Sequence, residues 1–497
     1  MGGPTPQRRI PCPAVGSLLK RLAASGTAYQ ASSVVAAALA LFTLPLYTRH
    51  LTRADLGYAE TLLTAIILVS ILLRFGIGEA FVRFWFDDED AGRRDRLART
   101  TTGFVLMTTT IAAAVAVMLA GPLSRLLLGI HDATLMAYGV LGLWAFTNLE
   151  VAYALLRVEE RRRAYLAASV SNVLLTVTLT VILVVALDGG ARGYVLGNYA
   201  ASTVVLIGLW LGPLRHRAAL TLRSPSALAP LLRFGAPTVP ADAAVFALNV
   251  IDRAYLLRAE SPAAAGLYSV AVKLATVVIV AVRGFQLAWP PLAYSITDEA
   301  QARRLYALVT TAYVLATGFV VAGLTLLGRW AVRLLAADDF YAAHEALPWL
   351  ALGWALYGLF LVFVTIAGRA RVTTRTFPAA AAGLVVNVVA LVLLVEPLGI
   401  AGAAIALCLS YVVMLVVVHL LTRRLFAVPF EWRRLALLVT VLGGVAVGGE
   451  LLLPTQGVTG FVTRSLALAA IPVLLVALRF FSAEEVARLR AVLPRRR

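Results

Sequence analysis

The chain holds 497 residues, 61% of them hydrophobic and 14% charged, with a mean hydropathy of +0.86. A soluble chain carries about 25% charged and about 45–50% apolar residues, so a water-soluble enzyme is excluded and an all-α polytopic membrane protein is expected. Cations outnumber acids 44 to 26, while the two cysteines, Cys12 and Cys408, offer neither a disulfide framework nor a metal site.

Residues 1–26 are polar and basic, with no apolar core before Thr27, so a cleavable signal peptide is not expected there and the segment reads as cytoplasmic. Crossing the hydrocarbon takes about 20 apolar residues per helix. Fourteen stretches meet that length: 27–48, 58–82, 101–121, 134–156, 165–187, 193–212, 231–252, 266–290, 305–327, 346–367, 377–395, 400–421, 435–453 and 460–480. They are rich in Ala and Leu and lack alternation, which argues for helices over barrel strands. The connectors are short and leave no room for a soluble domain or an outer catalytic loop. A membrane enzyme such as a repeat-unit polymerase is therefore disfavoured, and the protein is not expected to be an enzyme.

The charges set the topology. With the N-terminus inside, 32 cations fall on cytoplasmic segments, 8 on the opposite side and four within spans. Such an asymmetry across short loops is the positive-inside signal, and it makes both termini cytoplasmic. The basic excess then faces anionic membrane lipids rather than nucleic acid.

Two stretches resemble each other. LPLYTRHLTRADLGYAETLLTAIILVSILLRFGIGEAFVRFW starts at Leu44, and NVIDRAYLLRAESPAAAGLYSVAVKLATVVIVAVRGFQLAWPP starts at Asn249. Gly57 to Arg74 and Gly266 to Arg283 are both intervals of 17 residues. Asn172 in the fifth span pairs with Asn387 in the eleventh. Both members run in the same direction, so the repeat is parallel, about an axis along the membrane normal. It predicts two six-helix lobes around a central cavity, 27–227 and 228–421, followed by two additional helices within 435–480 and a basic cytoplasmic tail, 481–497.

Intramembrane charges are the candidate working groups. An arginine near a helix centre costs roughly 2.5–3.5 kcal/mol on insertion scales, so it is expected to face water or a partner. Arg74 and Arg283 occupy equivalent repeat positions. Lys273 precedes Arg283 by ten residues, about 15 Å along a helix and about 80° around it, which suits one cavity wall. Snorkelling towards the interface is the alternative for these three, and it is the favoured reading for Arg464. Among the acids, Asp242 follows Pro237 and Pro240 in a span those prolines break, and Glu150 lies in the fourth span. Asp242, Glu150, Asn172 and Gln286 are the candidates for coupling or a polar cavity lining. Glu60, Asp252 and Arg253 read as loop anchors or rim pairs. No histidine has a second ligand at metal spacing, so no metal or cofactor is expected.

The segment LLRFGAPTVPADAAVFALNVIDRAYLLRAESPAAAGLYSVAVKLA resembles the polysaccharide-export (Wzx-like) family of lipid-linked oligosaccharide flippases, in the MOP superfamily that also holds the MATE exporters. Its pattern is Phe-Gly-x-Pro opening a helix, then Asp252-Arg253, Gly266-x-Tyr268 and Lys273; LPLYTRHLTRADLGYAE and LRVEERRRAY add to it. The resemblance covers essentially the whole chain. It implies a bacterial inner-membrane flippase that moves a polyprenyl-pyrophosphate-linked glycan between leaflets by alternating access, and possible contacts with polysaccharide assembly enzymes. In that setting Arg74, Lys273 and Arg283 are the expected clamp on the anionic head group, since guanidinium and phosphate form charge-assisted bonds. A MATE-type drug exporter and a lipid II flippase remain alternatives, and the coupling ion and the glycan stay open.

Overall fold

The computed structural model describes residues 35, 37–87, 90–217, 225–248, 250–296, 298–369 and 376–480. The segment 1–26, the start of the first expected span and the tail 481–497 lie outside the described residues. Among the described residues there is helix and no strand, as hydrocarbon demands of a chain that must satisfy its own amides.

In order, the helices are α1 (37–50), α2 (Arg53–Leu73), α3 (Ile77–Asp87), α4 (Ala91–Met118), α5 (Ala120–Leu128), α6 (Ala133–Val158), α7 (Arg162–Val181) and α8 (Gly190–Leu211). There follow α9 (Pro225–Gly235), α10 (Val239–Leu248), α11 (Ile251–Ala259), α12 (Pro262–Leu274) and α13 (Thr276–Ser295). The last are α14 (Glu299–Leu335), α15 (Leu347–Arg369), α16 (Thr376–Thr422), α17 (Trp432–Leu452) and α18 (Gly457–Ala477). Their starts are set by short polar caps that satisfy the first free amides. Thr52 and Asp55 form a reciprocal capping box at α2, Asp90 caps α4, Asp132 caps α6, Ser261 caps α12 and Asp298 caps α14.

Ten helices among the described residues are long and apolar enough to cross a membrane, eleven when the pair Pro262–Leu274 and Thr276–Gln286, bent by 50°, counts as one span. That measure falls short of the fourteen expected for visible reasons. α16 is a 47-residue run whose two legs meet at Gly399, with φ at 54°. The expected span 231–252 is divided into α9, a 3-10 turn at Ala236–Thr238 and α10, where Pro237 and Pro240 withhold amide donors. α2 stops at Leu73, and Phe75 and Gly76, with φ of 49° and 66°, turn the chain before α3.

The largest buried cluster draws on early helices through Leu44, Leu62 and Tyr199 and on late ones through Tyr268, Leu407 and Tyr411. Lipid supplies no hydrophobic drive between helices, so close contact rests on small residues and buried polar bonds. Both occur. Asn148 on α6 donates to Thr109 Oγ1 on α4 at 2.9 Å. Gly57 on α2 meets Gly266 on α12 so closely that a Cβ built on Gly57 would lie 2.0 Å from the Pro262 carbonyl oxygen. The two repeat glycines therefore face each other.

One expectation needs correction. Arg464 does not snorkel: it is 0% exposed and reaches Glu450 Oε2 at 2.5 Å, with further donations to the carbonyls of Pro454, Leu453 and Leu326. A partly buried acid on the preceding helix, Glu450, made an inward orientation cheaper than a reach to the interface.

Candidate functional site

A cavity of about 380 Å³ lies between α2, α3, α4 and α6. Arg74, Arg157, Glu150, Thr101, Phe81 and Gly78 contribute to its wall. Arg74 reaches it because it is the C-terminal cap of α2: the helix ends there, and the turn at Phe75–Gly76 opens space beside its side chain. Its Nε donates to the Ser70 carbonyl at 3.3 Å. Glu150 and Arg157 stand seven residues apart on α6, two turns along one face. Among the described residues Arg74, Glu150 and Arg157 enter no ion pair. The hydroxyl of Thr101 on α4, in the cavity wall, is buried without a hydrogen-bond partner, which leaves a polar group there ready for a ligand or water. Two guanidiniums against one carboxylate make the cavity net cationic.

A second constellation lies beside the glycine contact. Glu60 on α2 is 7% exposed; its carboxylate accepts from Lys273 Nζ at 2.5 Å and from the Tyr194 hydroxyl at 2.8 Å. Lys273 also donates to Tyr194 at 3.1 Å, and Arg253 stands 3.7 Å from the second Glu60 oxygen. Asp252 accepts from the Arg253 amide at 2.8 Å and from the Tyr268 hydroxyl. Two acids and two bases thus share one buried region, and their formal charges balance.

The expected site residues are accordingly distributed. Arg74 and Glu150 come together at the cavity. Lys273 joins the buried cluster instead, paired with Glu60. Arg283 and Gln286 are exposed side chains three residues apart on α13. Asn172 accepts from Ser202 at 3.2 Å between α7 and α8. Asp242 lies on α10, and its side chain falls outside what is described. Among the described residues no three His, Cys, Asp or Glu side chains converge as metal ligands would.

Glu60 and Arg253, read from sequence as rim or loop groups, are buried and central. A signal for Glu60 was present: it follows Gly57 by three residues, as Lys273 follows Gly266 by seven, so each shares the helix face of its repeat glycine. Once the glycines meet, the acid and the amine meet below them. Arg157 was read only as a topology cation; its i, i+7 spacing from Glu150 was the cue to its place in the cavity.

No curated protein matches the chain in sequence. Solved structures do match its fold. A lipid II flippase MurJ in an inward closed conformation superposes with a TM-score of 0.73 at 12% identity, over 90% of this chain and 97% of that one. An inward-facing multidrug resistance MATE family transporter of the MOP superfamily gives 0.63 at 18% identity, over 82% and 95%. The Vibrio cholerae MATE transporter VcmN in its bent form gives 0.53 at 15% identity, over 82% and 98%. At these identities the likeness fixes architecture alone. In sequence, the family described as polysaccharide biosynthesis protein matches residues 22–297, more than half of the length. The apolar helices of the described residues, a fold shared with these structures over 82–90% of the chain and this match lead to one assignment: the chain belongs to the polysaccharide biosynthesis protein family, with a fold like that of MurJ and the MATE transporters.

Proposed function

We propose that the protein is a flippase that carries a polyprenyl-diphosphate-linked oligosaccharide from the inner to the outer leaflet of a bacterial cytoplasmic membrane. Family membership supports the glycan, and the charge asymmetry of the loops supports the orientation, with both termini cytoplasmic. The observation that carries the proposal is the cavity in which, among the described residues, Arg74 and Arg157 stand without an ion pair beside the buried hydroxyl of Thr101. A diphosphate is the ligand class for such a wall, because guanidinium and phosphate form short charge-assisted bonds. Arg283 and Gln286, about 60° apart around α13 at ~100° per residue, offer the corresponding polar face in the second repeat. The repeat supports two lobes, 27–227 and 228–421, that rock about this path with the lipid tail left in the bilayer. The α2–α12 contact lies at the ends that the loop charges place outside, so the state described is closed outwards. Glu150 would meet sugar hydroxyls or modulate the arginines.

Multidrug export is the competing reading that the fold allows. A cationic drug needs a cavity dominated by acids, and here two guanidiniums oppose one carboxylate.

Arg74→Ala, expressed to the wild-type level in a strain lacking the protein, tests the proposal. Loss of a buried bond to a charged group costs about 1.5–3 kcal/mol, so export is expected to fall roughly ten- to hundred-fold, with the lipid-linked glycan trapped on the inner leaflet. Wild-type export by Arg74→Ala, by Arg157→Ala and by the double variant would remove this cavity from the transport path.

A further inference from the structure

The buried cluster holds more cation than it uses. Arg253 is 9% exposed, yet it reaches Glu60 only at 3.7 Å, and its Nε–H is buried with no partner. A charge-assisted bond is about 2.7–2.9 Å long, so this contact is loose. Asp252 does not make up the deficit: its oxygens accept from the Arg253 amide and the Tyr268 hydroxyl and leave the Arg253 Nε–H without a partner. A buried guanidinium with an idle donor is costly, and it is explained where a second ligand takes up that donor. Lys273 is the approachable member, with 21% of its side chain exposed against 9% for Glu60. A carboxylate brings two oxygens to Lys273, Arg253 and Tyr194, whereas a phosphate group brings three or four in a tetrahedron and could serve all of these donors at once.

We propose that Lys273 and Arg253 form an anion site for a phosphate or diphosphate group, and that Glu60 occupies this site as an internal substitute while α2 and α12 are closed together. The proposal rests on the flippase reading for the source of that diphosphate. Its consequence is mechanical. Glu60 sits on α2, one turn from Gly57, and the cations sit on α11 and α12, with Lys273 two turns from Gly266. An anion that takes over Lys273 and Arg253 frees Glu60, and with it the pairing that ties α2 to its neighbours. The ligand then favours the open state because it binds that state better, while the empty protein keeps Glu60 in place and stays shut. The gate is opened by the group it transports.

Hydrogen–deuterium exchange of the full-length protein in lipid nanodiscs tests this at the amides of 53–62 and 262–274, with and without inorganic diphosphate. In the wild type, saturating diphosphate is expected to speed exchange in both segments; this arm needs no variant. Glu60→Gln is expected to exchange about tenfold faster or more without any anion, since removing one partner leaves buried cations uncompensated. Tyr194→Phe, a milder change, is expected to shift exchange in the same direction. Lys273→Gln with Arg253→Gln is expected to abolish the response to diphosphate. Wild-type protein that ignores diphosphate, or Glu60→Gln protein as protected as wild type, overturns the proposal. The cargo is judged separately by the leaflet distribution of the lipid-linked glycan. A diphosphate response in a protein that moves no such lipid upholds the anion site and overturns the cargo; normal glycan transport with no diphosphate response does the reverse.

Discussion

Gly57→Val is expected to abolish transport in a protein that still folds and inserts. A Cβ at Gly57 would stand 2.0 Å from the Pro262 carbonyl oxygen and 3.0 Å from the Gly266 amide nitrogen. Both are backbone atoms of α12, so no side chain can swing aside, and the helices must part. Overpacking of a tight contact costs typically 1–3 kcal/mol, which would move a two-state equilibrium roughly five- to 150-fold away from the closed form. The fold survives because the closed contact belongs to one state of the cycle. Gly266→Ala approaches the same contact from the other side, where a Cβ would lie 1.9 Å from the Arg53 carbonyl oxygen, and it should act alike. Gly443→Ala is the matched control, since nothing lies within 4 Å of a Cβ there. The measurement is glycan export at equal protein level, with exchange of the α2 and α12 amides reporting closure. Wild-type export by Gly57→Val would show that the contact takes no part in the cycle.

Much of this architecture is legible in the sequence because lipid enforces it. The apolar stretches had to be helices, because a span must satisfy its own amides. The repeat was visible because Gly57 and Gly266 each precede an intramembrane arginine by 17 residues. Partnership was harder to read. Helical period tells which residues share a face, but not which neighbour that face meets. Lys273 therefore looked like a free cavity cation, although Glu60, on another helix 213 positions earlier, neutralises it at 2.5 Å. Arg74 could be placed beside open space only once α2 was known to end under it, and that ending depends on a turn at Phe75 and Gly76 that no apolar pattern marks. Pro237 and Pro240 did announce a broken span, because a missing amide donor is a property of the residue itself.

The same distinction separates two kinds of cation. Lys273 is cheap to keep in the closed state, since its charge is balanced within the cluster. Arg74 and Arg157 have no such balance among the described residues beyond a shared cavity with Glu150. A fixed charge is retained in a membrane protein at a cost, and an unpaired one is where a ligand's charge would be recovered as binding energy.

Arg464 shows the opposite use of an intramembrane arginine, and breaking its pair with Glu450 from either side is expected to be the largest stability effect outside the transport path. It is fully buried and joins α18 to Glu450 on α17 and to the Leu326 carbonyl of α14, with its ring-side contact on Trp330 at 5.8 Å. Breaking a buried pair from one side typically costs about 3–5 kcal/mol. Arg464→Ala should fall at the lower end, because Arg329 still faces Glu450 and keeps that acid from standing alone. Glu450→Ala should be worse, since it strips two cations of their shared partner, one of them with no exposed surface. Exchanging Arg464 and Glu450 together for leucine should recover much of the loss, because the fully buried charge is then gone and only the partly exposed Arg329 is left without its acid. Thermal unfolding of the purified protein in detergent gives the order: Glu450→Ala lowest, Arg464→Ala next, the double leucine variant closer to wild type. If Arg464→Ala unfolds at the wild-type temperature, the arginine is a passenger and α17–α18 are held by apolar contacts such as Leu438 against Ile471 and Leu475.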